Sequence, residues 1–180
     1  RRLHLYGLHP ARAIADALVS SGQLAGLTTL GISGLRIEDE GAGRLAGACD
    51  WEALEELKVS CCGIGDEGAA AWGRGPRLKR LRELDLAGNP LGPDGVVALL
   101  SKPSLRSLRR LTLDALHLGD EGVERLTRLP VLASLRELSL ANLHRRPGDD
   151  LTSRAAVAVA SCPLLSGLRY LDLSGDHVRD

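Results

Sequence analysis

Four stretches place acidic residues beside a glycine in the same register: "IEDEGAGRL" from Ile37, "IGDEGAAAW" from Ile64, "LGPDGVVAL" from Leu91 and "LGDEGVERL" from Leu118. Adjacent carboxylates are the raw material of general acid–base catalysis. A catalytic centre is normally singular, however, and a motif repeated four times reads as architecture. Asp and Glu also suit the start of a helix, where backbone N–H groups lack partners and the dipole is positive. The expectation is that Asp120 caps its own helix and that Glu121 sits at the positive end.

Other candidate chemistries fail on spacing. "GAGRLAG" from Gly41 approaches a dinucleotide-binding glycine loop, but its last glycine is displaced by one residue and the segment lies in helix register. No phosphate-binding P-loop, nucleophile elbow or HExxH sequence occurs. Cys49, Cys61, Cys62 and Cys162 form no CxxC pair and read as reduced thiols, Cys62 buried and Cys61 more exposed. His117, His144 and His177 fall in one column, shared with His9. Stacked imidazoles could hold a divalent metal, but no carboxylate stands nearby to orient them. The reading is therefore a chain without catalytic residues, metal or cofactor, and not an enzyme.

What positions these residues is a repeat. "LTTLGISGLRI" begins at Leu27, and equivalents begin at Leu54, Leu81, Leu108, Leu135 and Leu168, spaced 27, 27, 27, 27 and 33 residues apart. "RRLHLYGLHP" supplies one more unit at the start, giving seven. Pro76, Pro103, Pro130 and Pro163 form a column, as do Leu24, Trp51, Leu78, Leu105, Leu132 and Leu165. In "LRELDL", Leu84 and Leu86 alternate with Glu83 and Asp85, which predicts a short strand with one buried face. A helix follows, with Val123 and Leu126 inward in the fifth unit. One unit cannot bury its own apolar face, so the units must stack. Helices are wider than strands, which curves the stack with its sheet on the inside.

The residues LxxLxLxx(N/C)x(L/I), followed by GDEG and an apolar helix, resemble a leucine-rich repeat of the ribonuclease-inhibitor-like class, as found in long bacterial arrays. The resemblance implies an α/β right-handed solenoid, a horseshoe arc with parallel strands on the concave face and helices on the convex face. It implies a non-enzymatic module that binds protein. Similar repeats occur in Ran GTPase-activating proteins, so a regulator of another enzyme is the alternative. Residues 1–180 read as a single domain of about seven units, a piece of a longer array, since the chain starts and stops inside repeats. In the ninth position of each unit only Cys62 and Asn89 match the family's Cys or Asn; Leu8, Leu35, Leu116, Leu143 and Asp176 depart from it. Leucine cannot bond backbone, so those turns need other partners, water among them.

Composition narrows the partner. Hydrophobic residues make up 44% of the chain but aromatics only 2%, so leucine must do most of the packing. A formal net charge of +0 argues against a general polyanion binder. No apolar run is long enough to span a membrane and no signal peptide is visible, so the expectation is a cytoplasmic protein with a protein partner, not nucleic acid or membrane. The outward strand positions predict a partner-binding face at Glu56, Lys58, Glu83, Asp85, Arg110 and Asp114. Beside it Arg82, Arg109, Arg136 and Arg169 stand on successive strands and need nearby acids to offset their repulsion. Tyr6 and Tyr170 lie near opposite ends, leaving no central aromatic anchor. The six extra residues 145–150 predict a loop.

Overall fold

A computed structural model describes residues 1–7, 12–75, 77–141 and 151–175. The insertion 145–150 lies outside them, as do His9, His144 and His177. Seven strands form one open parallel sheet in chain order: β1 Arg2–Tyr6, β2 Thr29–Ser33, β3 Glu56–Ser60, β4 Glu83–Asp85, β5 Arg110–Thr112, β6 Glu137–Ser139 and β7 Tyr170–Asp172. Leu84 pairs with Leu111 and Leu111 with Leu138, so the 27-residue period sets the register. Between strands run α1 Arg12–Ser20, α2 Glu38–Gly47, α3 Asp66–Arg74, α4 Pro93–Leu100, α5 Gly119–Leu126 and α6 Ser153–Ala160. Each helix packs on its sequence neighbours. The result is an arc of α/β solenoid. The proline column opens short 3-10 turns at Pro103–Ser107, Pro130–Ser134 and Pro163–Leu165, where the missing N–H is no loss.

Leucine fills the core as composition requires. Leu30, Leu54, Leu81, Leu84, Leu108 and Leu135 are buried, with Val123 and Leu126 facing in from α5. Trp51 and Trp72 are buried against each other with ring centroids 5.4 Å apart, and the Trp51 indole N–H donates to the Leu45 carbonyl at 3.0 Å. They are core fillers.

The Asp of the repeated motif does not cap its own helix. It lies inside the helix and reaches forward to the next one. Asp39 Oδ1 accepts from the N–H groups of Gly65 at 2.6 Å and Gly68 at 3.0 Å, at the start of α3. Asp66 Oδ1 accepts from Gly92 N–H at 2.8 Å, ahead of α4. Asp120 Oδ1 accepts from Thr152 N–H at 2.8 Å, and its Oδ2 from the Thr152 hydroxyl at 2.6 Å, ahead of α6. The cap is thus supplied by the preceding unit, and it meets the same need as a local one. The glycine that follows permits the approach: a Cβ on Gly95 would lie 2.4 Å from Asp66 Oδ1 and 2.6 Å from Asp66 Cα.

The exceptions support this account. Pro93 occupies the aspartate's column ahead of α5, and Arg12 occupies it ahead of α2. Where the acceptor exists, the residue before the helix is extended: Gly65, Gly92 and Thr152. Where proline or arginine replaces it, the helix opens on a left-handed residue, Glu38 at φ 56° or Gly119 at φ 55°.

The ninth position divides similarly. Buried Asn89 accepts at Oδ1 from Cys62 N–H at 3.0 Å and Ile64 N–H at 3.1 Å, and donates to the carbonyls of Val59 at 2.6 Å and Leu86 at 2.7 Å. In the two described units with leucine there, at Leu35 and Leu116, backbone answers backbone: Glu38 N–H donates to Cys62 O at 3.0 Å and His117 N–H to Leu91 O at 2.9 Å. The partners sought in water are carbonyls of the adjacent unit. The eighth position is left-handed in Gly34, Cys61, Gly88, Ala115 and Gly175, so two of the five carry a strained side chain.

Two outcomes follow. Asn89→Ala would leave four buried backbone groups without their partner and lower stability by about 3 kcal/mol or more, read from urea denaturation followed by circular dichroism. An unchanged midpoint would show that the ladder carries nothing. Cys61→Gly removes an exposed side chain from a left-handed residue and should raise stability by roughly 0.5 kcal/mol, relieved strain exceeding the entropy cost of glycine.

Candidate functional site

The sheet register lays out the polar face. Glu56, Glu83, Arg110, Glu137 and Tyr170 form one stripe, and Lys58, Asp85, Thr112, Ser139 and Asp172 another. Five of the six predicted residues, Glu56, Lys58, Glu83, Asp85 and Arg110, stand on β3, β4 and β5 as neighbours. Asp114 lies just past the end of β5.

Glu83 is the hub. Lys58 Nζ is 2.5 Å from its Oε1, and Arg110 approaches Oε2 with Nη2 at 2.6 Å and Nε at 3.0 Å. Burial alone would raise the Glu83 carboxyl, but hydrogen bonds from Lys58 and Arg110, with their charges, outweigh it and hold the group below the usual carboxylate range. The Glu83 bond in turn raises the Lys58 ammonium, against the pull of burial. Arg110 also comes within 4.0 Å of Glu137. The two cations at the centre are therefore committed to Glu83, and the surrounding acids give the face its net sign.

Asp85 and Asp114 have a second task that sequence reasoning did not foresee. Asp85 Oδ1 accepts from Ala87 N–H at 2.9 Å, and its Oδ2 from the Ser60 hydroxyl at 3.2 Å. Asp114 Oδ1 accepts from the Ser139 hydroxyl at 2.6 Å and from Ala141 N–H at 2.9 Å. Asp172 repeats the turn bond to Ser174 N–H at 2.8 Å. The signal is visible in "LDLAG" and "LDLSG": an Asp two residues before a small residue and three before a glycine is a side-chain-capped turn.

The arginine lane resolves differently from the expectation. Arg109 Nη1 donates to the carbonyls of Leu108 and Ser134, each at 3.0 Å, and Arg136 Nη1 to Leu135 at 3.0 Å and Gly167 at 3.2 Å. These guanidiniums tie consecutive turns together through backbone, not through acids. Tyr6 and Tyr170 are exposed near the two ends of the sheet, and Tyr6 stacks on His4 at 6.3 Å.

Two of the four cysteines, Cys49 and Cys62, are made poorer nucleophiles by burial. Burial pushes the Cys62 thiol up to about 12, so it is protonated at neutral pH, and burial also raises Cys49. Of the histidine column only His117 is described, half-buried beyond β5. Among the described residues no group of three or more His, Cys, Asp or Glu is placed to share a metal ion.

Replacing Glu83 by Gln removes the charge that Lys58 and Arg110 share. A group with a depressed folded pKa contributes stability above its unfolded pKa, and loses it as pH falls through the folded one. Glu83→Gln should therefore be less stable than the parent at pH 7, by about 1 kcal/mol for a partly exposed network, and the gap should narrow in acid, below the ordinary carboxylate range. Urea midpoints at neutral and acidic pH check this; a gap that persists undiminished in acid would remove the charge explanation.

Residues 53–71 and 79–100 match a family model described as "Leucine Rich repeat". No curated protein matches the chain. Among solved structures, "Leiomodin-1 Actin-Binding Site 2 (ABS2)" is similar over 88% of this chain and 90% of that one, at 14% identity and a TM-score of 0.49. Among the described residues no helix is long and apolar enough to cross a membrane.

Proposed function

We propose that this chain, a leucine-rich repeat protein, is a non-enzymatic interaction scaffold whose sheet face binds a basic surface of a protein partner. One observation carries the reading: Lys58 and Arg110 both close on Glu83, a trio that sums to one positive charge, and it is outnumbered along β3–β7 by the carboxylates of Glu56, Asp85, Asp114, Glu137 and Asp172. Several of these carboxylates are fixed by the turns they cap, so little side-chain entropy remains to be lost on binding. A curved repeat surface suits an extended partner. Membership of the ribonuclease-inhibitor-like class accords with the 27-residue unit and the strand–helix alternation.

The test must spare the turns. Reversing Asp85 or Asp114 would break the bonds to Ala87 and Ala141 as well as the field. Asn at either position keeps an acceptor and removes the charge. Partners captured from the source lysate by the parent protein should bind Asp85→Asn/Asp114→Asn with an association rate several-fold lower and a weaker dependence on salt. Unchanged rates and unchanged salt dependence would remove the sheet face as the site.

A further inference from the structure

The formal net charge of +0 conceals a sorted distribution. The segments after α1 and α2, 21–28 and 48–55, hold no Arg or Lys, and the second carries Asp50, Glu52 and Glu55; those that return from α3, α4, α5 and α6 to the next strand are 73–82, 100–109, 127–136 and 160–169. All four carry Arg or Lys and none contains Asp or Glu. Arg77, Lys79, Arg80, Arg106 and Arg128 are exposed there. Among the described residues the ion pair on this edge is Lys79 with Glu52, at 3.9 Å, where the lane ends against the acidic segment of the preceding unit. The opposite edge, at the helix starts, holds the Asp and Glu of the repeated motif.

Two depressions open in the basic edge, one on each side of the turn Pro103–Ser107. One, of about 450 Å³, lies between that turn and Pro130–Ser134; Leu100, Pro103, Leu105, Pro130 and Val131 make it apolar, and Arg106 stands at it. The other, of about 470 Å³, is lined by Arg77, Lys79, Lys102 and Ser104 among others, and the Ser104 hydroxyl oxygen is buried without a hydrogen-bond partner. Lys102 is a fixed wall between them, its ammonium donating to the carbonyls of Gly73 at 2.7 Å and Gly75 at 3.2 Å.

We infer that this edge is a second docking surface, for an acidic protein segment that places carboxylates on Arg77, Lys79 and Arg106 and one apolar side chain in the groove between the two 3-10 turns. Charge complementarity selects the occupant. Arginine outnumbers lysine here, and the planar guanidinium matches a carboxylate bidentately. The groove is too apolar to be filled by phosphates. No exposed aromatic stands on this edge to stack nucleic-acid bases, since the exposed large apolar residues are Tyr6, Val157, Tyr170 and Leu171. For the same reason nothing here would insert into a lipid surface.

The experiment uses the full chain and a fluorescein-labelled peptide of Asp and Glu with one central Leu, followed by anisotropy. Binding should weaken as salt rises. Arg77→Glu/Arg106→Glu should raise Kd by about tenfold or more, and Ala133→Glu, at the exposed mouth of the groove, should do the same. Changing the peptide's Leu to Ser should also weaken binding by about tenfold, whereas Arg36→Glu on the opposite edge should leave it unchanged. Circular dichroism checks that each variant is folded. The inference is overturned if the peptide does not bind, or if the three basic-edge substitutions leave Kd unchanged. It is overturned equally if Leu and Ser peptides bind alike, or if oligothymidylate or anionic vesicles bind as tightly through the same residues. Either result leaves the sheet face, on different residues, untouched.

Discussion

No unit of this array can satisfy its own boundary, and the rest of the structure follows from that. A strand of three to five residues has unpaired edges, and a helix of about two turns has as many free N–H groups as bonded ones. Each deficit is met by the neighbour: Asp39, Asp66 and Asp120 cap the next helix, and Asn89 ties four backbone groups across two units. Arg109 and Arg136 do the same for the returning turns. Hydrophobic burial drives the stacking, but these polar bonds fix its spacing, because the glycines admit only one depth of approach.

The same devices sort the charge. Carboxylates are drawn to the edge where helices begin, and cations to the edge where they end, as the dipoles favour. From the third unit onward, units in register turn that local preference into two oppositely charged margins with the sheet face between them. Asp85 and Asp114 keep their charge while they bridge the turns, so the field a partner meets comes from carboxylates already held in place. Lys58 and Arg110 are likewise held, both on Glu83, before any partner arrives, and that trio keeps one positive charge.

Much of the fold was legible because a period is a redundant signal. Leu84, Leu111 and Leu138 had to stack once the spacing was seen, and the inward positions of the helices followed. Trp51, Trp72 and Cys62 were readable as core from their columns. What could not be read was direction. An Asp before a helix looks like a local cap, and only the three-dimensional offset between units turns Asp120 toward Thr152. The arginine column failed for a related reason: a one-dimensional search for compensation finds acids, whereas Arg109 reaches carbonyls that carry no letter in the sequence. Asp85 and Asp114 were correctly placed on or beside the polar face, but their bonds to Ala87 and Ala141 depend on turn geometry that residue type alone only hints at. His144, His177 and the insertion lie outside the described residues.

Pro93 has a mechanical meaning. At the joint between the fourth and fifth units the forward carboxylate is missing, Gly119 opens its helix left-handed, and the charged contacts across the seam among the described residues are Arg125 with Asp94 at 2.8 Å and Arg110 with Glu83 at 2.6 Å. Stability in a linear array is a sum over units and joints, so the missing forward cap lowers the contribution of this joint. The tryptophan pair lies wholly before that joint, in the second and third units. Light emitted by Trp51 and Trp72 therefore reports on those units and not directly on the ones beyond the joint.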